Sequence, residues 1–300
     1  TPRPILEQAV VNVTPIISTR RGELAEIIKD AGRKNEGVNG TVANGIPGAG
    51  IVAEDVTISR VASLDDFDGI VVVGGDGTFF EVLQGLYARP DCARQLSRLA
   101  LGVVPTGSGN GLAKTLSEES GEEFGAVGSS FLAAKGATKE LDLVPTESGD
   151  KKYLAFMNVG WGMISDVDIE SEAYRWVGSL RFTLGTVIRI ANLKHYRGRI
   201  SFLPAMDETA DSAASSTQAS TAPFRMPPLT DSVHSLNATV ERGVSESWTS
   251  VEGSFVLADI AQTKYISHDM PMAPSSRLGD GLMDLFFVMK GASRIAMIKV

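Results

Sequence analysis

Val71-Val72-Val73-Gly74-Gly75-Asp76-Gly77-Thr78-Phe79-Phe80-Glu81 decides the fold. Ile70 to Val73 is a short β-branched run, the mark of a buried strand. It stops at two glycines. Phe80, Val82, Leu83 and Leu86 then recur at helical spacing, so the order is strand, tight turn, helix. Gly74, Gly75 and Gly77 carry no Cβ and let a ligand approach the main chain. The turn feeds a helix N-terminus, whose free N–H groups and dipole favour an anion such as phosphate. A carboxylate there repels phosphate, so Asp76 is expected either to take a proton from a nucleophile or to order a metal ion. The plainer alternative is a solvated Asp capping its own helix.

About 30 residues on, the pattern recurs. Leu99 to Val104 is a second apolar run, and Pro105-Thr106-Gly107-Ser108-Gly109-Asn110-Gly111-Leu112-Ala113-Lys114 follows it. Two strand–glycine loop–helix units in series predict a parallel α/β sheet. Both loops then lie beyond the carboxyl ends of the strands, where such sheets bind ligands. The second loop is neither a Walker A sequence nor a Gly-x-Gly-x-x-Gly fingerprint. Ser108 and Asn110 suit phosphate or adenine contact, and equally suit turn chemistry. Ahead of these units, Val10 to Ile17 reads as a strand, Glu23 to Ile28 as a helix, and Ile51 to Ile58 as a short strand after a surface loop. Ser18 reads as a helix cap or a nucleotide contact.

Composition narrows the function. The 300 residues suffice for one large domain or two ordinary ones, and 43% are hydrophobic. A formal net charge of −8 argues against nucleic acid as a partner and against simple electrostatic adhesion to anionic membrane. The single cysteine, Cys92, excludes an internal disulfide and a cysteine-based metal cluster. No apolar stretch reaches the length of a membrane-spanning helix.

From about Leu141 the character changes. Tyr153 to Val159, Arg199 to Leu203, Leu236 to Val240, Ser254 to Ile260 and Leu285 to Val288 read as strands, interrupted by a helical stretch near Ser171 to Leu193. The expectation is a parallel α/β domain over 1–145 and an antiparallel β domain over 146–300. A disordered Ser/Ala/Thr/Pro-rich insertion is expected near 205–232. Within the second part, Asp166-Val167-Asp168-Ile169-Glu170-Ser171-Glu172 places four carboxylates in seven residues. A helix's first turn favours such acids. Arg175 and Arg181, set among Tyr174, Trp176 and Phe182, suit phosphate contact; Arg175 also suits pairing with Glu172 at i,i+3.

Gly-Gly-Asp-Gly-Thr is similar to the signature shared by NAD kinases, phosphofructokinases and the diacylglycerol/sphingosine kinase group. Three further stretches resemble the sphingosine kinases: Asp166 to Arg175, Arg181-Phe182-Thr183-Leu184-Gly185-Thr186, and Tyr196-Arg197-Gly198-Arg199. Gly281-Leu282-Met283-Asp284 resembles the wider diacylglycerol kinase-like group. The resemblance covers most of 10–204 and about 250–300. It implies a nucleotide-binding α/β domain over 1–145, a β-sandwich for the lipid substrate over 146–300, and transfer of the γ-phosphate of ATP, with Mg²⁺, to the primary hydroxyl of a sphingoid base. A diacylglycerol or ceramide kinase, or a non-catalytic binding protein of the same fold, is the alternative.

By the same resemblance Asp76 matches the catalytic base and Asp168 the aspartate at the sphingoid head group. Ser18, Arg175 and Arg181 match nucleotide-contacting positions, as does Ser108; Gly74, Gly75, Gly77, Thr78, Thr106, Gly107, Gly109 and Asn110 complete the two loops. Asn158, Asp166 and Glu172 fall on the substrate side, Asn158 standing where mammalian relatives carry a serine. The resemblance implies a cytoplasmic protein in peripheral contact with membrane. The family's opening Asn-Pro strand with its glycine-rich loop is not found ahead of Ile17, nor is its closing Asp-Gly-Glu. The chain is therefore expected to be a fragment truncated at both ends, weakly active or inactive on its own.

Overall fold

The computed structural model describes residues 3–32, 63–171, 180–205 and 248–291. The expected strands at 51–58 and 236–240, the insertion at 206–232, and the side chains of Glu172, Arg175 and Arg181 lie outside the described residues. The chain divides into two compact units, Thr1–Thr138 with Thr146–Leu154, and Lys139–Pro145 with Ala155–Val300.

The first unit opens with α1 (Arg3–Gln8) and α2 (Glu23–Asp30), followed by β1 (Gly69–Gly74), α3 (Asp76–Tyr87), α4 (Cys92–Arg98), β2 (Ala100–Pro105), α5 (Gly111–Ser120) and α6 (Ala126–Lys135). β1 and β2 pair in parallel, from Gly69 opposite Ala100 to Gly74 opposite Pro105. The two glycine loops therefore leave the sheet side by side. On α3 the buried residues include Phe79, Val82, Leu83 and Leu86, an i, i+3, i+4, i+7 stripe. The stripe starts one residue before the expected Phe80, which is half-buried. α2 packs across α3 at Gly85, where a Cβ would come within 2.7 Å of the Ala25 carbonyl oxygen.

Val10 to Ile17 is not a strand. Residues 11–19 have no regular structure, and Pro15 has no N–H to offer a ladder. Ser18 is not a cap either. Gly22 caps α2 with φ +83°, a left-handed angle that suits glycine. The Ser18 hydroxyl instead donates to the Arg20 carbonyl (2.9 Å) and to Glu23 (3.2 Å), whose carboxylate reaches back from the first turn to gather 18–20. The Thr19 and Arg20 N–H groups hold Glu23 below the usual carboxylate range.

β3 (Val144–Ser148) pairs with β4 (Lys151–Ala155), then β5 (Asn158–Gly162) runs into α7 (Met163–Ser171). The single strand expected over Tyr153–Val159 is thus two. The Gln84 side chain takes both backbone groups of Leu154, at 2.9 and 3.0 Å, and the chain bends at 156–157 before β5 begins.

In the second unit α8 (Leu180–Ala191) follows, then β6 (Tyr196–Phe202), β7 (Thr249–Ala261), β8 (Tyr265–Ser267), β9 (Met270–Pro271) and β10 (Asp284–Met289). The main sheet is antiparallel and built on β7. The first half of β7 pairs with β6; its second half lies between β5 and β10. Phe255 is fully buried against Trp161 and Phe287, with ring centroids 5.6 and 5.7 Å away. A parallel α/β region followed by an antiparallel one is the order the sequence predicts.

Candidate functional site

The two glycine loops touch. A Cβ on Gly107 would stand 2.6 Å from the Gly75 Cα, so only glycine allows this approach. The Thr106 N–H donates to the Gly74 carbonyl (3.1 Å), carrying the β1–β2 ladder one step into the loops. Asn110 holds the second loop closed. Its Oδ1 accepts from the Gly107 N–H (3.0 Å) and its amide donates to the Gly107 carbonyl (2.6 Å). Asn110 is buried and left-handed at φ +61°, a conformation its side chain tolerates better than most. Its seat is thus fixed by turn chemistry. Thr106 is exposed, Ser108 and Gly109 are half-buried, and Gly77 has open space where a Cβ would go.

Asp76 joins the loops from the other side. Gly75, not Asp76, caps α3. The Asp76 carboxylate instead caps the neighbouring α5, accepting from the N–H of Gly111 (3.0 Å) and of Leu112 (3.3 Å). Burial pushes its pKa above the ordinary aspartate value, against the pull of those N–H groups. A carboxylate has about four lone-pair sites, so two backbone bonds leave capacity for a further donor. The result is a fixed carboxylate of raised basicity between two helix N-termini, beside exposed glycine backbone. That arrangement suits a phosphorylated ligand and an incoming hydroxyl.

Gly107→Ala is expected to push the loops apart at a cost of about 1–3 kcal/mol. The melting temperature, followed by calorimetry, should fall by several degrees. A wild-type melting temperature in the Gly107→Ala variant contradicts the loop contact.

The acidic stretch of the second unit separates into two roles. Asp166, in the first turn of α7, faces inward to Arg189 (3.4 Å) and accepts from the Tyr196 hydroxyl. Arg189 is buried on α8 and pairs also with Glu170. This network ties α7 to α8 and β6. Asp168, two residues on from Asp166, is exposed. The Asn158 amide donates to Asp259 Oδ1 (2.9 Å) on β7.

Known proteins resemble this chain. Residues 2–145 match the diacylglycerol kinase catalytic domain. That stretch holds both glycine loops and Asp76. The chain is similar to sphingosine kinase 1 of Arabidopsis thaliana, 32% identical over 243 residues, which are 81% of this chain and 49% of that protein. It is 33% identical to human sphingosine kinase 1 over 249 residues, 80% of this chain and 62% of the relative. The chain thus spans about half the length of the Arabidopsis relative. A solved putative diacylglycerol kinase from Bacillus anthracis shares the fold, with TM-score 0.53 and 16% identity over 94% of this chain and 66% of that one.

The structure brings Gly74, Gly75, Asp76, Thr106, Gly107 and Asn110 together in the first unit. Asp166 and Asp168 share α7 in the second. Ser18 is occupied by its own loop. Asp259 is not among the residues that the sequence motifs single out; an acid inside the apolar run Phe255 to Ile260 was the available signal. It is fully buried, and burial pushes its pKa up to about 6. The native state therefore binds this proton more tightly than the unfolded chain, so stability falls as pH rises from the ordinary aspartate value through 6. The ionised Asp259 costs about 3 kcal/mol at neutral pH on that basis. Asp259→Asn is expected to melt several degrees higher than wild type at pH 7.5, with the gain vanishing near pH 4. A difference that does not change with pH contradicts the burial argument.

Proposed function

We propose that the chain is the catalytic part of a lipid kinase that transfers the γ-phosphate of ATP to the primary hydroxyl of a sphingoid base. The observation that carries the reading is the Asp76 carboxylate, fixed by the N-terminus of α5 beside two interlocked glycine loops. The similarity to sphingosine kinases of plants and mammals supports the choice of lipid.

In this reading the loops and helix N-termini hold the nucleotide phosphates. Asp76 accepts the hydroxyl proton while the oxygen bonds to the γ-phosphorus and the bond to ADP breaks. The products are a sphingoid 1-phosphate, ADP and a proton. Asp168 pairs with the ammonium and orients the hydroxyl next to it. Asp166 acts through Arg189 and Tyr196 to hold α7 in place. Arg175 and Arg181 remain proposed nucleotide contacts, and Glu172 a proposed acid of the substrate side.

Among the described residues no three His, Cys, Asp or Glu side chains gather as a metal cluster. Mg²⁺ needs no such cage, since phosphates and water supply most of its ligands and one carboxylate suffices beside them. With Asp76 assigned to the hydroxyl proton, the phosphates and water would hold the ion. Mg²⁺ bound with ATP offsets charge on the transferring phosphoryl group.

A lipid substrate has to leave a bilayer. Among the described residues no helix is long and apolar enough to cross one. α8 exposes Leu184, Val187 and Ile188 at i, i+3, i+4 spacing, and Ile169 on α7 is also exposed. That face suits peripheral contact with a lipid surface. Leu184→Ser with Ile188→Ser is expected to lower co-sedimentation with phosphatidylcholine vesicles several-fold while sparing ATP binding. Undiminished co-sedimentation contradicts the assignment of this face.

The full-length protein, given Mg·ATP and sphingosine in mixed micelles, is expected to form ADP and phosphorylated lipid in equal amounts. ATP consumption with no phosphorylated lipid overturns the reading.

A further inference from the structure

Asp259 stands where a buried carboxylate is costly, on the central strand of its sheet between β5 and β10. One oxygen accepts from the Asn158 amide (2.9 Å). The other is shielded from solvent and has no partner among the described residues. A carboxylate only accepts, so the Asn158 amide must turn its NH₂ toward β7. The carbonyl oxygen of the half-buried Asn158 is then the atom left for a ligand.

The surroundings keep this pair next to α7. Gly160 lies opposite Asp259 in the β5–β7 register. A Cβ there would come within 3.1 Å of Asp259 Oδ1 and 2.9 Å of Ile164 Cγ2, so no other residue fits without a shift. The Ser165 hydroxyl donates to the Gly160 carbonyl (2.6 Å) and pins the turn from β5 into α7. Ile164 and Asp168 are four residues apart on α7 and share one stripe. Asn158, Gly160 and Asp259 thus meet the first turn of α7, the helix that also carries Asp168.

We infer that Asp259 is a positioning residue for lipid choice: by holding the Asn158 amide with its carbonyl outward, it makes this corner an acceptor for the donor-rich head of an amino alcohol. This rests on the reading of the corner as the lipid-head side of the kinase. An ammonium with neighbouring hydroxyls offers only donors to such an oxygen. A diacylglycerol offers ester carbonyls, which an outward amide oxygen repels, and Asp259 takes one of the two Asn158 N–H donors that could serve them. The ionised carboxylate also adds negative potential that favours a cationic head.

Kinetics of the full-length wild type, Asp259→Leu and Asp259→Asn on sphingosine and on diacylglycerol test this. Leu removes the acceptor. Asn keeps one, since its own amide oxygen can face Asn158. Asp259→Leu is expected to raise the sphingosine KM about tenfold, with the ATP KM unchanged and the preference over diacylglycerol reduced. Asp259→Asn is expected to restore the sphingosine KM to within about threefold of wild type. A Leu variant with wild-type sphingosine KM, an equal rise in both KM values, or an Asn variant as impaired as Leu overturns the positioning role. In those cases wild-type turnover of sphingosine leaves the kinase reading standing. A wild type that phosphorylates no sphingosine overturns both.

Discussion

Asp76→Asn is expected to lower phosphate transfer by roughly 10²–10⁴-fold, the range associated with losing a general base. The geometry adds a second effect. Both Asp76 oxygens accept backbone N–H groups from α5. An Asn has one oxygen, so its NH₂ would face an N–H donor. That mismatch costs about 1–3 kcal/mol and loosens the contact between the loops. The variant should therefore melt lower and bind ATP somewhat less tightly, while its turnover falls far more than binding. Initial rates beside ATP titration separate the two effects. Turnover within tenfold of wild type would sink the role of Asp76. In the wild type, the raised pKa places the acid limb of the pH–rate profile above the ordinary aspartate range, because the base has to be ionised.

The second large effect belongs to Asp168. It is exposed on α7, whereas Asp166 is half-buried beside Arg189 and Tyr196. Asp168→Asn keeps the shape and removes the charge that would pair with an ammonium. The sphingosine KM is expected to rise roughly 10–100-fold, with little change for diacylglycerol, which has no ammonium. Unchanged affinity for sphingosine would remove the amine from the account. Asp166→Asn offers a contrast. It breaks an internal ion pair, so it should lower the melting temperature and affect both lipids alike.

The paired glycine loops were legible because their signals are local: β-branched runs that end in glycines and restart at helical spacing. Even so, the core side of α3 starts at Phe79 rather than Phe80, because the turn uses one residue fewer than the spacing suggested. What Asp76 binds was not legible. Its partners are 35 and 36 residues away in the chain, and only the parallel pairing of β1 with β2 brings them near. Val10 to Ile17 misled through apolar content, since Pro15 breaks the ladder such a strand needs. Ser18 misled because Gly22 supplies the cap through its backbone angle, which a Ser-first rule overlooks. The acidic stretch was legible as a group but not by role. Which carboxylate turns inward depends on Arg189, on the next helix. Asp259 was hidden inside a strand whose apolar neighbours dominated its pattern.

The most direct measurement is transfer of labelled γ-phosphate from Mg·ATP by the full-length protein, with sphingosine, diacylglycerol and ceramide offered together in mixed micelles. Label in the sphingoid base, with little in the other two, is the predicted result. Label chiefly in diacylglycerol or ceramide, or in no lipid at all, would contradict the account.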